Sequence, residues 1–107
     1  MRYGKYGVSA KADRTCDGIV FASKHEMNTY KDLKLLLKAG EIVTLTLQPR
    51  FELIPKPNKI EYVADFRIIW KDGREEIWDA KGVETDVFRL KYKMMQHFYP
   101  NVVLKLV

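Results

Sequence analysis

Acidic side chains interrupt the most strand-like part of the sequence. Residues 60–70 are rich in β-branched and aromatic side chains, which favours a β-strand, yet Asp65 lies in the middle of them. Asp79 and Lys81 end the next strand-like segment, and their two-residue spacing puts a carboxylate and an ammonium group on one face. Neighbouring buried carboxylates repel each other unless a cation lies between them, and hard divalent cations prefer oxygen ligands. With Glu26, these residues favour a magnesium site; ordinary salt bridges of Asp79 and Lys81 are the alternative.

Two further charged residues lie on helix faces that should be apolar. Glu26 precedes Tyr30 by four residues, and Lys91 lies between Val87 and Met94 on one helical stripe. We therefore expect the charged groups of Glu26 and Lys91 to point toward apolar neighbours. A simple helix-capping role is the alternative for Glu26, and a long side chain that reaches back to solvent is the alternative for Lys91.

The predicted elements follow the order αβββαβ. The first helix begins at Ser23, where Ser-x-x-Glu is a capping box, and ends at about Ala39, before Gly40. This order predicts an α/β domain with a mixed sheet and helices on its faces. The last strand is apolar enough to be predicted as an interior one. The remaining elements are strands at 42–48, 60–70 and 75–81, a helix at 85–99 and a strand at 102–107, with 50–54 as an extension of the sheet.

The turn between the two central strands decides whether the carboxylates can meet. A two-residue turn at Asp72 and Gly73 would put Asp65 opposite Ala80, so that Asp65 and Asp79 would face opposite sides. A shared metal site therefore predicts an odd-length loop or a β-bulge between residues 66 and 78. It also predicts the Glu26 carboxylate within about 4 to 6 Å of one of the two aspartates.

Length and composition limit the class of protein. A chain of 107 residues suits one domain. Its apolar runs are far shorter than the roughly 20 residues of a membrane span, and its N-terminal segment lacks the apolar stretch of a signal peptide. We therefore expect a cytoplasmic protein without a membrane partner. Its one cysteine permits no intrachain disulfide.

The charge balance favours a polyanionic partner. Lysine and arginine number 19 against 14 acids, a net charge of +5. Residues 1–16 are predicted as a basic arm and residues 17–107 as the single domain. The arm could lie along a phosphate backbone, or it could be a disordered terminus that aids solubility. Its basic residues are Arg2, Lys5, Lys11 and Arg14.

The order of elements, Asp65, and the Asp-Ala-Lys at 79–81 resemble the PD-(D/E)xK, or restriction-endonuclease-like, nuclease superfamily. More narrowly, the chain from about residue 17 to 107 is similar to a small family of phage and prophage proteins commonly taken to be Holliday-junction-resolvase-like or recombination nucleases. Ala64 departs from the pattern, which has proline there. The strings that carry the likeness are SKHE at 23–26, LQPRFEL at 47–53, YVADF at 62–66, DAKG at 79–82 and RLK at 89–91.

The resemblance implies a role for each matching residue. Asp65 and Asp79 would be the acidic metal ligands, and Lys81 the lysine of the motif. Glu26 matches the glutamate that many members add from a helix, and Gln48 would have a supporting role near the metal. Lys91 would contact phosphate near the cut. The metal would be Mg²⁺, with Mn²⁺ as a substitute.

The activity implied is magnesium-dependent, structure-selective cleavage of DNA, with hydrolysis of phosphodiester bonds. A domain this small has little surface for reading bases, which favours branched DNA recognised by backbone and shape. Cutting both strands would require two active sites, so a homodimer is expected. If the protein is phage-encoded, it would act in the host cytoplasm. The alternative is a catalytically silent nucleic-acid-binding module of the same fold.

Overall fold

The computed structural model describes residues 9–107, which form an α/β domain. Within those residues, no helix has the length and apolar character needed to cross a membrane. A short 3-10 helix at Lys11–Arg14 precedes the regular elements. The two α-helices are α1 (Lys24–Lys38) and α2 (Asp86–Phe98). The strands are β1 (Thr15–Cys16), β2 (Ile19–Val20), β3 (Ile42–Leu47), β4 (Arg50–Ile54), β5 (Ile60–Val63), β6 (Phe66–Trp70), β7 (Glu75–Asp79) and β8 (Leu104–Leu106).

The central sheet has four strands in the order β3-β6-β7-β8. The first three pair antiparallel, and β8 joins β7 in parallel after the crossover through α2. The helices and the strands of this sheet follow the predicted αβββαβ order, so the predicted α/β class with a mixed sheet is confirmed. The prediction that the last strand is interior is wrong, because β8 lies at the edge. Its apolar Leu104 packs into the core, but Leu106 is 39% exposed.

The two helices cover opposite faces of the sheet. Ile68 of β6 packs in one core cluster with Leu33 of α1, and Ile77 of β7 packs in another with Phe88 and Met95 of α2. The ends of α1 match the sequence: the Ser23 side chain accepts a hydrogen bond from the Glu26 amide, and Gly40 follows the helix with φ of 80°. Both ends of α1 are thus defined by local sequence signals.

A bend divides one long strand pair into two sheets. The predicted strand 60–70 is two strands, β5 and β6, and the segment 50–54 pairs with β5 in a separate ribbon instead of extending the central sheet. Hydrogen bonds continue across the bend, from the Gln48 amide to the Asp65 carbonyl (2.9 Å) and from the Ala64 amide to the Pro49 carbonyl (3.1 Å). Gln48 has a positive φ of 52°, which is uncommon for a residue other than glycine. Asp65 therefore lies at a bend, where an aspartate disturbs no regular ladder.

The turn between β6 and β7 has three residues. Trp70 and Arg74 flank it, with a 2.8 Å hydrogen bond from the Trp70 amide to the Arg74 carbonyl. Gly73 has φ of 92°, a conformation that glycine adopts without a steric penalty. The predicted odd-length loop is confirmed.

The described part of the N-terminal segment packs on the domain. β1 forms a hairpin with β2, and both Cys16 and Ile19 contact the core cluster beneath α1. The Arg14 side chain donates hydrogen bonds to the carbonyls of Ser9 (2.9 Å) and Phe21 (2.5 Å). The predicted boundary at residue 16 falls inside this hairpin.

Candidate functional site

Asp65 and Asp79 lie opposite each other where β6 and β7 meet the bend. Phe66 pairs with Trp78, and the Asp65 amide donates to the Trp78 carbonyl (3.2 Å). Asp65 immediately precedes Phe66, and Asp79 immediately follows Trp78. In this antiparallel register the two aspartates are therefore the next opposed pair. The three-residue turn is the cause, because it shifts the pairing by one residue from that of a two-residue turn.

The Asp79 carboxylate is fully buried at the end of β7. Its Oδ2 accepts a hydrogen bond from the hydroxyl of Tyr62. Its Oδ1 has no hydrogen-bond partner among the described residues. The ammonium Nζ of Lys81 lies 3.5 Å from this oxygen, close enough for an ion pair but at the outer limit of a hydrogen bond. Since a buried carboxylate oxygen without a donor is costly, Oδ1 is the oxygen available to a cation.

Asp65 accepts a hydrogen bond at Oδ2 from the backbone amide of Ala80 (2.7 Å). Burial, then hydrogen bonding to Asp79 and the charges of Asp79 and Glu26, together raise the pKa of Asp65 to about 7. The Ala80 amide opposes these effects. The pair is therefore short of positive charge, as expected of carboxylates that a cation would neutralise.

Lys81 lies just past the end of β7, two residues beyond Asp79. Its side chain is about one-third exposed, and its ammonium group lies 5.0 Å from the centre of the Phe88 ring. Phe88 belongs to the first turn of α2, so this helix supports the lysine from one side. An ammonium group that is partly exposed and close to the Asp79 carboxylate can contact a ligand bound there.

A cavity of about 420 Å³ adjoins Asp65. Its four polar lining residues were all candidates from the sequence, namely Arg14, Glu26, Gln48 and Asp65. The capping box is present, because the Glu26 amide donates to the Ser23 hydroxyl oxygen. Burial and the charge of Asp79 raise the pKa of Glu26 above its ordinary value. A backbone hydrogen bond from Ala22 and the charge of Lys81 only partly oppose this rise. Glu26 therefore lies within electrostatic range of the aspartates, and the 4 to 6 Å separation stays a prediction.

The other predicted contacts are not part of this group. The Lys91 ammonium donates to the carbonyl of Glu61 on β5 (2.9 Å), and its contact with phosphate near the cut stays a prediction. Its long side chain reaches the end of the ribbon that packs on α2. Lys11 is exposed in the 3-10 helix. Arg2 and Lys5 lie outside the described residues.

Two carboxylates fit a magnesium ion, although they do not form a complete cage. Within residues 9–107, no group of three or more His, Cys, Asp and Glu side chains is arranged to hold a metal. Magnesium commonly binds through one or two carboxylates and keeps several waters, so Asp65 and Asp79 meet its minimum. The unpaired Oδ1 of Asp79 and the raised pKa of Asp65 fit such an ion.

Tyr62 is the site residue that the sequence did not reveal. It is buried on β5, and the neighbouring carboxylates and burial raise its pKa well above the ordinary value, so its hydroxyl stays a donor. A signal was present, because a tyrosine in an apolar strand needs a partner for its hydroxyl group. The identity of that partner depends on the bend between β5 and β6, which local sequence does not specify.

Comparison with known proteins gives one match. No curated protein and no solved structure matches the chain. A family model described as "Protein of unknown function (DUF1064)" matches residues 4–107. Since that match covers nearly the whole chain, the protein belongs to the DUF1064 family.

Proposed function

We propose that this protein is a magnesium-dependent endonuclease that hydrolyses phosphodiester bonds in DNA, with branched DNA as its substrate. The observation that carries the proposal is the position of Asp65 opposite Asp79, with the Lys81 ammonium 3.5 Å from Asp79 Oδ1. The resemblance to PD-(D/E)xK nucleases supports the same assignment, because it implies these three residues in these roles.

Each residue has a chemical task in this proposal. A bound Mg²⁺ supplies a positive charge that polarises the scissile phosphate and lowers the pKa of a bound water. Asp65 and Asp79 hold the ion, and Tyr62 fixes the orientation of Asp79 through its hydrogen bond. Lys81 stabilises negative charge that develops on the phosphate in the transition state, or orients the attacking water. Glu26 and Gln48 line the adjoining cavity, where they would contact the ion's waters.

The substrate class follows from the small size of the domain. A domain of this size offers little surface for reading base edges, so recognition through phosphates and overall shape is favoured. Cutting both strands of a branched molecule needs two active sites, which a homodimer supplies. Mn²⁺ would replace Mg²⁺, because it also accepts carboxylate and water ligands.

A cleavage assay tests the proposal directly. Labelled four-way junction, flap and linear duplex DNA are incubated with the protein in Mg²⁺, in Mn²⁺ and in EDTA. We expect metal-dependent cutting of branched substrates that Asp79→Asn abolishes. Asp72→Asn is the matched control, because Asp72 lies on the exposed turn of the same hairpin and pairs with Arg74. Wild-type protein that binds junction DNA but cuts no substrate in either metal would instead identify a silent binding module.

A further inference from the structure

One exposed side of α1 carries a row of lysines. Lys24, Lys31 and Lys38 are seven residues apart, so they lie on nearly the same face, about 10.5 Å from one another along the helix axis. Lys34 lies beside them, with its ammonium group 5.9 Å from the centre of the Tyr30 ring. All four side chains are exposed. These four residues are called the α1 lysine row below.

The α1 lysine row has no ion-pair partners among the described residues. Elsewhere, basic side chains such as Lys59, Lys71 and Lys105 form ion pairs with glutamates. Within residues 9–107, no lysine of the row forms an ion pair with a carboxylate. Asp32, the only exposed acid of α1, follows Lys31 by one residue and so lies about 100° round the helix. Asp17 also lines a groove beside the row, so the four lysines face two carboxylates and this surface keeps a net positive charge.

The row begins next to the candidate site. Lys24 is in the first turn of α1 together with Glu26, which lines the cavity beside Asp65. Lys38 is in the last turn, about 21 Å away along the axis, a length that corresponds to roughly six base steps of duplex DNA. A linear polyanion that followed the row would therefore reach the turn of α1 that carries Glu26.

The surface between the lysines also contains an apolar groove, which could bind a protein partner. Leu35 is 66% exposed, and it lines a groove of about 630 Å³ together with Leu37, Lys31, Lys34 and Lys38. An acidic peptide with apolar side chains could occupy such a groove. The linear spacing of the lysines and their continuity with the site favour a nucleic acid, because a peptide in the groove would leave Lys24 without a role.

We propose that the α1 lysine row binds the phosphate backbone of the DNA and guides one arm of it to the site at Asp65 and Asp79. This inference rests on the proposed function for its choice of ligand, but it concerns binding and not cleavage. The principal DNA contact would then be made by α1, and not by the N-terminal arm and Lys91. Each lysine would neutralise one phosphate and release its counterions, so the row predicts a strong dependence of affinity on salt.

Binding of a fluorescent 30-base-pair duplex and of a four-way junction is measured by anisotropy in EDTA, over a range of salt concentrations. The test variant is Lys24→Gln/Lys31→Gln/Lys38→Gln. The control variant is Lys59→Gln/Lys71→Gln/Lys93→Gln, which removes the same charge from other surfaces. Thermal melts monitored by circular dichroism confirm that both variants fold. Since EDTA prevents cutting, the result is independent of whether the protein is a nuclease.

We expect the row variant to bind on the order of 10-fold or more weakly at 0.1 M salt, with a salt slope smaller by about 2 to 3. The control should stay within about 2-fold of wild type. Equal losses in the two variants would show a non-specific effect of net charge and would overturn the proposal. Unchanged DNA binding by the row variant would also overturn it, and loss of binding only to an acidic apolar peptide would assign the groove to a protein partner.

Discussion

The Lys81 ammonium group lies 3.5 Å from Oδ1 of Asp79, an oxygen that has no hydrogen-bond partner among the described residues. The other oxygen of the same carboxylate accepts the hydroxyl of Tyr62. Asp79 thus has one oxygen held by the fold and one that faces the Lys81 ammonium group without a hydrogen bond. This asymmetry is what a metal ligand requires, because one fixed oxygen orients the carboxylate and the other can bind the ion.

Replacement of Lys81 by methionine tests its role in catalysis. Methionine keeps much of the side-chain volume but removes the charge, so stabilisation of the transition state is lost while the DNA-binding surface remains. Cleavage should fall by about 10²-fold or more in single-turnover assays, with DNA affinity in EDTA within about 2-fold of wild type. Lys71→Met is the control, because Lys71 pairs with Glu41 on the exposed surface. Undiminished cutting by Lys81→Met would remove Lys81 from the mechanism.

Tyr62→Phe tests whether the buried hydroxyl positions Asp79. The change leaves Oδ2 of a fully buried carboxylate without its donor, which costs about 1 to 3 kcal/mol of unfolding free energy. The midpoint of thermal or urea unfolding measures that loss. We also expect weaker Mg²⁺ activation, seen as a higher metal concentration for half-maximal cleavage. Tyr92→Phe is the control, since Tyr92 packs on Phe88 through its ring; equal effects of the two changes would argue against a positioning role.

The helices were more predictable than the site because their signals are local. Ser23 caps α1 and Thr85 caps α2, and each lies where the sequence indicated a start. The bend at Gln48 was missed, because its positive φ is not indicated by residue type and depends on how two strands pair. The edge position of β8 was missed for a similar reason, since strand order is set by contacts between distant segments. Asp65, Asp79 and Lys81 were nevertheless found, because charges in strand-forming segments contradict their local pattern.

The raised pKa of Asp65 predicts how stability depends on pH without metal. Its folded-state pKa of about 7 lies above the ordinary value of 3.8 for an aspartate, so the fold favours the protonated carboxyl group. That contribution is fully present below about pH 4 and is lost as the pH rises through 7. Melting temperatures in EDTA should therefore fall from pH 5 to pH 8 by more in wild type than in Asp65→Asn. Added Mg²⁺ should raise the melting temperature of wild type more at pH 8 than at pH 5, because the ion binds the ionised form. Identical pH profiles for the two proteins would contradict the raised pKa.

The outer face of α2 predicts where two copies would associate. Val87, Leu90 and Phe98 are 64%, 60% and 50% exposed, and they lie along one side of the helix, away from the buried Phe88. Exposed apolar side chains that share one helix face are typical of a surface that a partner covers. We expect wild-type protein to sediment as a dimer at micromolar concentrations, and Leu90→Glu to sediment as a monomer that nicks one strand of a junction instead of cutting two. Lys93→Glu, on the polar side of the same helix, should leave the dimer intact. Wild-type protein that stays monomeric at 100-fold higher concentration, or a Leu90→Glu variant as dimeric as wild type, would exclude this face as the interface.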